Sequence, residues 1–160
     1  MLPFKTWIYR RRSQGRPKDP DEKLIEVLRK QNLFSVKLGC AEGICGSCTV
    51  LLNGKPVPAC KLPVALAMNQ EIITLEHFSK TPEYAVITKG FAKAGIKLCG
   101  YCNAGKFFAA ASILSNKQKP TRSSVREQVK HLSPCCTDID TLINGIIYAA
   151  EIQSHSTKEV

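Results

Sequence analysis

No apolar run in this chain is long enough to cross a membrane, which excludes a single-helix transmembrane role. Aromatic residues are scarce, 7% of 160 residues with a single Trp, so the basic groove interleaved with stacking rings that nucleic-acid binding requires is missing. Histidines are few and isolated. His77, His131 and His155 stand apart from one another, read as surface residues, and join no serine or carboxylate constellation, so no separate catalytic site is expected. Acidic residues are also few, 13 against 23 Lys and Arg, for a formal charge of +10. The densest basic group, Tyr9-Arg10-Arg11-Arg12 with Arg16-Pro17-Lys18, reads as a solvated face. The same arginines and Lys18 interrupt any apolar core within Met1 to Pro20, so no secretory signal is expected. A cytoplasmic chain keeps its thiols reduced, which argues against a disulfide framework.

Cysteine is the residue this sequence does have. Its eight cysteines form two quartets with none left over: Cys40, Cys45, Cys48, Cys60, and Cys99, Cys102, Cys135, Cys136. The first begins C-x4-C-x2-C within Gly39-Cys40-Ala41-Glu42-Gly43-Ile44-Cys45-Gly46-Ser47-Cys48, the loop spacing of plant-type [2Fe-2S] ferredoxins. Such a cluster takes three thiolates from one curling loop and a fourth from elsewhere, and Cys60 is available. Gly39, Gly43 and Gly46 are expected to take left-handed torsions and bring backbone N–H groups close to the cluster. Structural zinc more often shows two paired C-x2-C knuckles, which this quartet lacks. Two oxidised clusters, each about −2 with its thiolates, would lower the net charge to roughly +6.

Secondary structure is legible around these cysteines. Pro3 to Tyr9 alternates like an opening strand, and residues 10–20 form a polar connection. Asp19-Pro20-Asp21-Glu22 predicts a helix start with Asp19 as N-cap, Pro20 first and Glu22 as capping-box partner, followed by Leu24, Val27 and Leu28 on one face and an end near Gln31-Asn32. Thr49-Val50-Leu51-Leu52, the turn Asn53-Gly54 and Lys55-Pro56-Val57-Pro58-Ala59 predict a hairpin that returns Cys60 to the loop. Ile72 to Leu75 reads as a further strand.

Beyond this point apolar residues recur at helical spacing. Tyr84, Ile87, Thr88 and Phe91 share one stripe ending at Gly95; Phe107, Ala110, Ala111 and Leu114 a second; Val125, Val129 and Leu132 a third, opened by Thr121; Ile139, Leu142, Ile143, Ile146 and Ile147 a fourth. Four short helices predict a bundle. Cys99-Gly100-Tyr101-Cys102 precedes Asn103, and Cys135-Cys136 precedes Thr137, both N-cap candidates, so the second quartet sits at helix starts, where free N–H groups favour thiolates. Gln153 to Val160 reads as a polar tail.

Taken together, the chain resembles the iron–sulfur subunit of the molybdenum hydroxylases, the xanthine dehydrogenase family, over nearly its whole length. The matching elements are Leu24-Ile25-Glu26-Val27-Leu28-Arg29, Val36-Lys37-Leu38-Gly39-Cys40, the first cluster loop through Thr49-Val50-Leu51, Cys60 with eleven residues between it and Cys48, and Cys99-Gly100-Tyr101-Cys102. The resemblance implies an α+β fold, with a β-grasp plant-type ferredoxin-like domain over 1–78 and an all-α four-helix bundle domain over 79–160. It implies two [2Fe-2S] clusters held by the eight cysteines, relaying electrons between molybdopterin on a large subunit and FAD on another. Gly100 and Cys136 would lie near the molybdopterin, and the large subunit would shape the substrate pocket.

The departures from the family pattern gather at the second quartet. Where the family ends with C-x-C, this chain reads Ser133-Pro134-Cys135-Cys136-Thr137, with Pro134 at a ligand position and Cys135 where an arginine would stand. Leu98 and Ala104 also replace a glutamine and a proline. Adjacent cysteines in regular backbone point apart, so both ligate one centre only if the loop bends. Either Cys135 substitutes as ligand, which we expect, or the second centre is lost. The alternatives to the two-centre subunit are a one-cluster ferredoxin-like carrier and a zinc-stabilised interaction module.

Overall fold

The computed structural model describes residues 19–116, 118–132 and 134–156. The strand expected at Pro3–Tyr9 lies outside these residues.

The first helix, α1 (Leu24–Lys30), buries Leu24, Ile25, Val27 and Leu28 as its spacing predicts, but it starts later than expected. Asp19 does not cap it. The Asp19 carboxylate accepts the Asp21 N–H at 2.9 Å and its carbonyl accepts the Glu22 N–H at 3.1 Å, closing a turn upstream of the helix. The first helical N–H groups are instead taken by the Cys60 segment: Leu24 N–H donates to the Leu62 carbonyl at 2.8 Å and Ile25 N–H to the Ala59 carbonyl at 3.1 Å. Orphan donors at a helix start need partners, and here the tertiary fold supplies them.

Strands β1 (Thr49–Leu52) and β2 (Lys55–Pro58) form the expected hairpin, with Thr49 opposite Pro58 and Leu52 opposite Lys55. Asn53 at φ 49° and Gly54 at φ 78° supply the two left-handed residues of a primed turn. A short strand, β3 (Ile72–Ile73), pairs antiparallel with the other edge of β1, giving the order β2-β1-β3. It ends before Thr74, because Thr74 is already the N-cap of a one-turn helix, α2 (Leu75–Phe78).

The second half is helical as predicted: α3 (Pro82–Lys93), α4 (Asn103–Leu114), α5 (Arg122–Val129) and α6 (Ile139–Ser156). Gly95 ends the α3 segment at φ 75°. Thr88 is exposed, whereas Gly90 is buried where α3 crosses α6. Thr121 caps α5 through a reciprocal capping box with Ser124. Three sequence expectations are corrected. Asn103 is the first residue of α4 rather than its cap, which is Cys102. Asp138, not Thr137, caps α6, its carboxylate accepting the Thr141 N–H at 2.8 Å. Gln153 to Ser156 belong to α6 and are no tail, because the last turn continues a helix anchored by buried Leu142, Ile143, Ile146 and Ala149.

Two cores result. One joins α1, Val36, Val50, Cys48, Cys60 and Ile72; the other is built from the four long helices and takes in Leu51 of β1 and Phe78. Helix α4 lies at its centre, with Phe107 and Phe108 ringed by Phe78, Tyr84 and Phe91. The Tyr84 and Phe107 rings stack 4.4 Å apart.

Candidate metal centres: two cysteine quartets

The first loop is shaped by close backbone approaches. Val36 is buried, and Lys37 N–H donates to the Ser47 carbonyl at 3.1 Å, so the chain enters and leaves the loop side by side. Gly43 and Gly46 take positive φ as expected, 75° and 78°, and non-glycine Ala41 joins them at 59°. Gly39 does not take a left-handed torsion. Its requirement is space, since a Cβ there would lie 2.6 Å from Cys45 Sγ.

Three N–H groups converge on one sulfur. Glu42, Ile44 and Cys45 donate to Cys40 Sγ at 3.3, 3.4 and 3.4 Å. These donations, with Cys45 first, lower the Cys40 thiol to about 6. Burial pushes the Cys48 thiol the other way, up to about 12, where it hydrogen-bonds with Cys60. The quartet therefore resolves into two pairs, Cys40 with Cys45 and Cys48 with Cys60.

The second quartet is tighter. The ligand atoms of Cys99, Cys102, Cys135 and Cys136 all lie within 4.8 Å of one another. The chain bends locally at 135–136, bringing the adjacent sulfurs 3.6 Å apart instead of splaying them. Cys99 N–H donates to Cys136 Sγ at 3.3 Å. The hydrogen bond with Cys136 leads in lowering the Cys99 thiol to about 7, while hydrogen bonds with Cys136 and then Cys102 push Cys135 up to about 12. Here the contacts run through all four sulfurs, Cys136 touching both Cys99 and Cys135, and Cys135 also touching Cys102.

This donor set fits a thiolate-ligated group. All eight positions are thiols, which select iron–sulfur clusters, zinc or copper(I) over hard cations. The two pairs of the first quartet match a two-iron rhomb, in which each iron takes two protein sulfurs, and the four sulfurs of the second lie within 4.8 Å of one another. Each quartet also has one exposed thiol, Cys40 or Cys99, that its hydrogen bonds hold below the ordinary thiol value.

The two quartets are joined by contacts that sequence spacing did not reveal. Tyr101 hydroxyl donates to the Leu38 carbonyl at 2.8 Å, and Lys37 Nζ donates to the Gly100 carbonyl. Gly46 of the first loop packs directly on Gly105 of α4, where a Cβ on Gly105 would lie 2.8 Å from Gly46 Cα. Lys106 was also missed; its Nζ lies 3.0 Å from Cys102 Sγ. Its spacing of four from Cys102 was the available signal, because residues four apart share a helix face.

Two thiol quartets on one small sheet and one helix bundle define a protein with two [2Fe-2S]-binding domains. The comparisons agree. Residues 17–86 match the family model described as 2Fe-2S iron-sulfur cluster binding domain, and residues 74–147 match that described as [2Fe-2S] binding domain. The chain is 34% identical to the nicotinate dehydrogenase small FeS subunit of Eubacterium barkeri, over 83% of this chain and 85% of that one. It is 35% identical to the xanthine dehydrogenase iron-sulfur-binding subunit of Escherichia coli O157:H7, covering 80% and 82%. Among solved structures, quinoline 2-oxidoreductase from Pseudomonas putida 86 superposes with a TM-score of 0.75 at 32% identity, covering 89% of this chain and 88% of that one. Aldehyde oxidoreductase from Desulfovibrio gigas superposes with a TM-score of 0.75 at 33% identity, covering 89% of this chain but 16% of that longer one. The chain belongs to the iron–sulfur subunit family of the xanthine dehydrogenase-like molybdenum hydroxylases, and is an oxidoreductase subunit.

Proposed function

We propose that this chain relays electrons, through two [2Fe-2S] clusters, between the molybdenum centre of a large molybdopterin-binding subunit and the FAD of a medium subunit. The observation that carries the reading is the gathering of Cys99, Cys102, Cys135 and Cys136 within 4.8 Å in a chain that also keeps the complete first quartet. Cys135 then takes the place left by Pro134. The ligands are Cys40, Cys45, Cys48 and Cys60 for the first centre, in a domain over 1–78, and Cys99, Cys102, Cys135 and Cys136 for the second, over 79–160. When bound, each cluster supplies a one-electron site.

The protein's own residues hold, insulate and bias these sites. N–H donors at Cys40 Sγ stabilise negative charge there, and Gly39, Gly43 and Gly46 let the backbone approach. The start of α4 offers its positive end to Cys102. The Tyr101 and Lys37 contacts keep the two loops in fixed relation. Leu38, Ile44 and Tyr101 are 56%, 61% and 50% exposed beside the loops, an apolar rim suited to partner subunits. Gly100 and Cys136 face the molybdopterin. No bond chemistry occurs on this chain, which works in the cytoplasm; among the described residues no helix is long and apolar enough to cross a membrane.

Anaerobic purification with iron, zinc and acid-labile sulfide analysis, and EPR of the dithionite-reduced protein, tests the reading. About four irons, about four sulfides and two distinct signals are expected, with co-purification of molybdopterin- and FAD-containing partners. Cys135→Ser should lose one signal and about two irons. About two irons with one signal in the unaltered protein would establish the one-cluster carrier instead, and zinc without visible absorption the interaction module.

A further inference from the structure

Lys106 occupies a position that ordinarily rejects a lysine. It sits in α4 between Gly105 and Phe107, and it is 2% exposed. Burying a cation is unfavourable unless an anion accompanies it. The position is unfavourable for a second reason. Lys106 is only four residues from the Cys102 cap, near the end of the helix where the macrodipole repels cations, and the first turn has no acidic residue. Strong negative charge at the start of α4 favours an ammonium beside it. Nζ lies 3.0 Å from Cys102 Sγ, where a thiolate-ligated cluster would place it.

We propose that Lys106 is a positioning residue of the second centre that raises its reduction potential by a charge-assisted hydrogen bond to Cys102 Sγ. The inference rests on the two-centre reading above. On reduction the centre gains one electron from its donor, taking cluster plus four thiolates from about −2 to about −3. A fixed ammonium in a site of low dielectric stabilises the more negative state more strongly, so the electron is held more readily. Lys106 thereby biases the second centre relative to the first, whose described surroundings give Cys40 neutral N–H donors. A purely structural lysine would support packing without moving a potential.

The test is an EPR-monitored titration between dithionite and ferricyanide on the full chain purified anaerobically with its partner subunits, comparing the unaltered protein with Lys106→Met and Lys106→Gln. Methionine keeps an unbranched chain of similar length without charge, and glutamine keeps an N–H donor without charge. The expected result is about four irons in each protein, with one signal titrating at lower potential in Lys106→Met. Its reduction equilibrium should fall at least tenfold, 59 mV for a one-electron couple. Lys106→Gln should fall between, and the other signal should not move. The proposal is overturned if both signals stay within threefold of their original equilibria in both variants. It is equally overturned if both variants simply lose one signal and about two irons, since Lys106 is then an assembly residue. One signal in the unaltered protein would instead refute the two-centre reading before any variant is compared.

Discussion

Replacing Gly90 by alanine tests whether the α3–α6 crossing sets the second cysteine quartet. A Cβ at Gly90 would meet Ala149 N at 2.5 Å, Gly145 O at 2.6 Å and Ala149 Cα at 2.7 Å. All three are backbone atoms of α6, so no side chain can rotate away. Carbon contacts settle at about 3.5–4.0 Å, so the helices must part by roughly 1 Å, and a gap of that size forfeits a quarter to a half of each dispersion contact across it. The core at risk includes Ile87 and Phe91 of α3 and Leu142, Ile143 and Ile146 of α6, which belong to one buried cluster. Overpacking costs about 1–3 kcal/mol, here about 2–3 because only backbone can yield, and the better helix propensity of alanine returns about 1 kcal/mol. A net loss of about 1–2 kcal/mol lowers the Tm of a protein this size by roughly 2–8 °C. There is a functional consequence as well. Helix α3 leads to Cys99 and α6 follows Cys136, so parting the helices pulls that sulfur pair apart. Thermal unfolding and EPR of the anaerobic protein should therefore report a lower Tm together with selective weakening of one cluster signal. Gly145→Ala is the control, because its two nearest neighbours are side-chain rather than backbone atoms, the Ile96 terminal methyl at 2.7 Å and a ring carbon of Phe91 at 2.9 Å, and its effect should be smaller. A Gly90→Ala protein as stable as the original, with both signals intact, would refute the reasoning.

Two further outcomes follow from local contacts. Glu76 is partly buried, which by itself would raise its carboxyl, but hydrogen bonds from the Ser35 hydroxyl and N–H hold it below the usual carboxylate range. A depressed carboxyl stabilises the fold above its unfolded value, near 4.5, and that contribution disappears as pH falls through the folded value. The stability advantage of the original protein over Glu76→Gln, measured by chemical unfolding, should thus be about 1 kcal/mol near neutrality and shrink below about pH 4.5; an advantage that grows on acidification would contradict this. Thr121→Ala removes the capping box of α5 and should cost about 0.5–2 kcal/mol in unfolding free energy without altering either cluster signal.

Much of the molecule was legible because its signals are local. The spacing in Gly39 to Cys48, the Asn53-Gly54 turn, the Thr121 cap and the four apolar stripes each lie within a few residues, and backbone periodicity or turn torsions fix their outcome. Two of the boundaries that went astray did so where packing against other parts of the fold intervened. Asp19 lost its capping role because the Ala59 and Leu62 carbonyls take the α1 N–H groups, and Gln153 joined α6 because the buried stripe upstream holds that helix in place.

The sequence by itself therefore determined the composition of the two thiol sets, the hairpin that returns Cys60 and the helical character of the second half. Only the tertiary structure decided that Cys135 and Cys136 both turn toward Cys99 and Cys102, that the two loops touch through Gly46 and Gly105, and that Lys106 is buried against Cys102. The physical reason is range. Torsional preferences act between neighbours in the chain, whereas the meeting of residues more than thirty positions apart depends on how α3, α4 and α6 pack, and a lysine in a helical stripe reads as surface until the helices that cover it are in place.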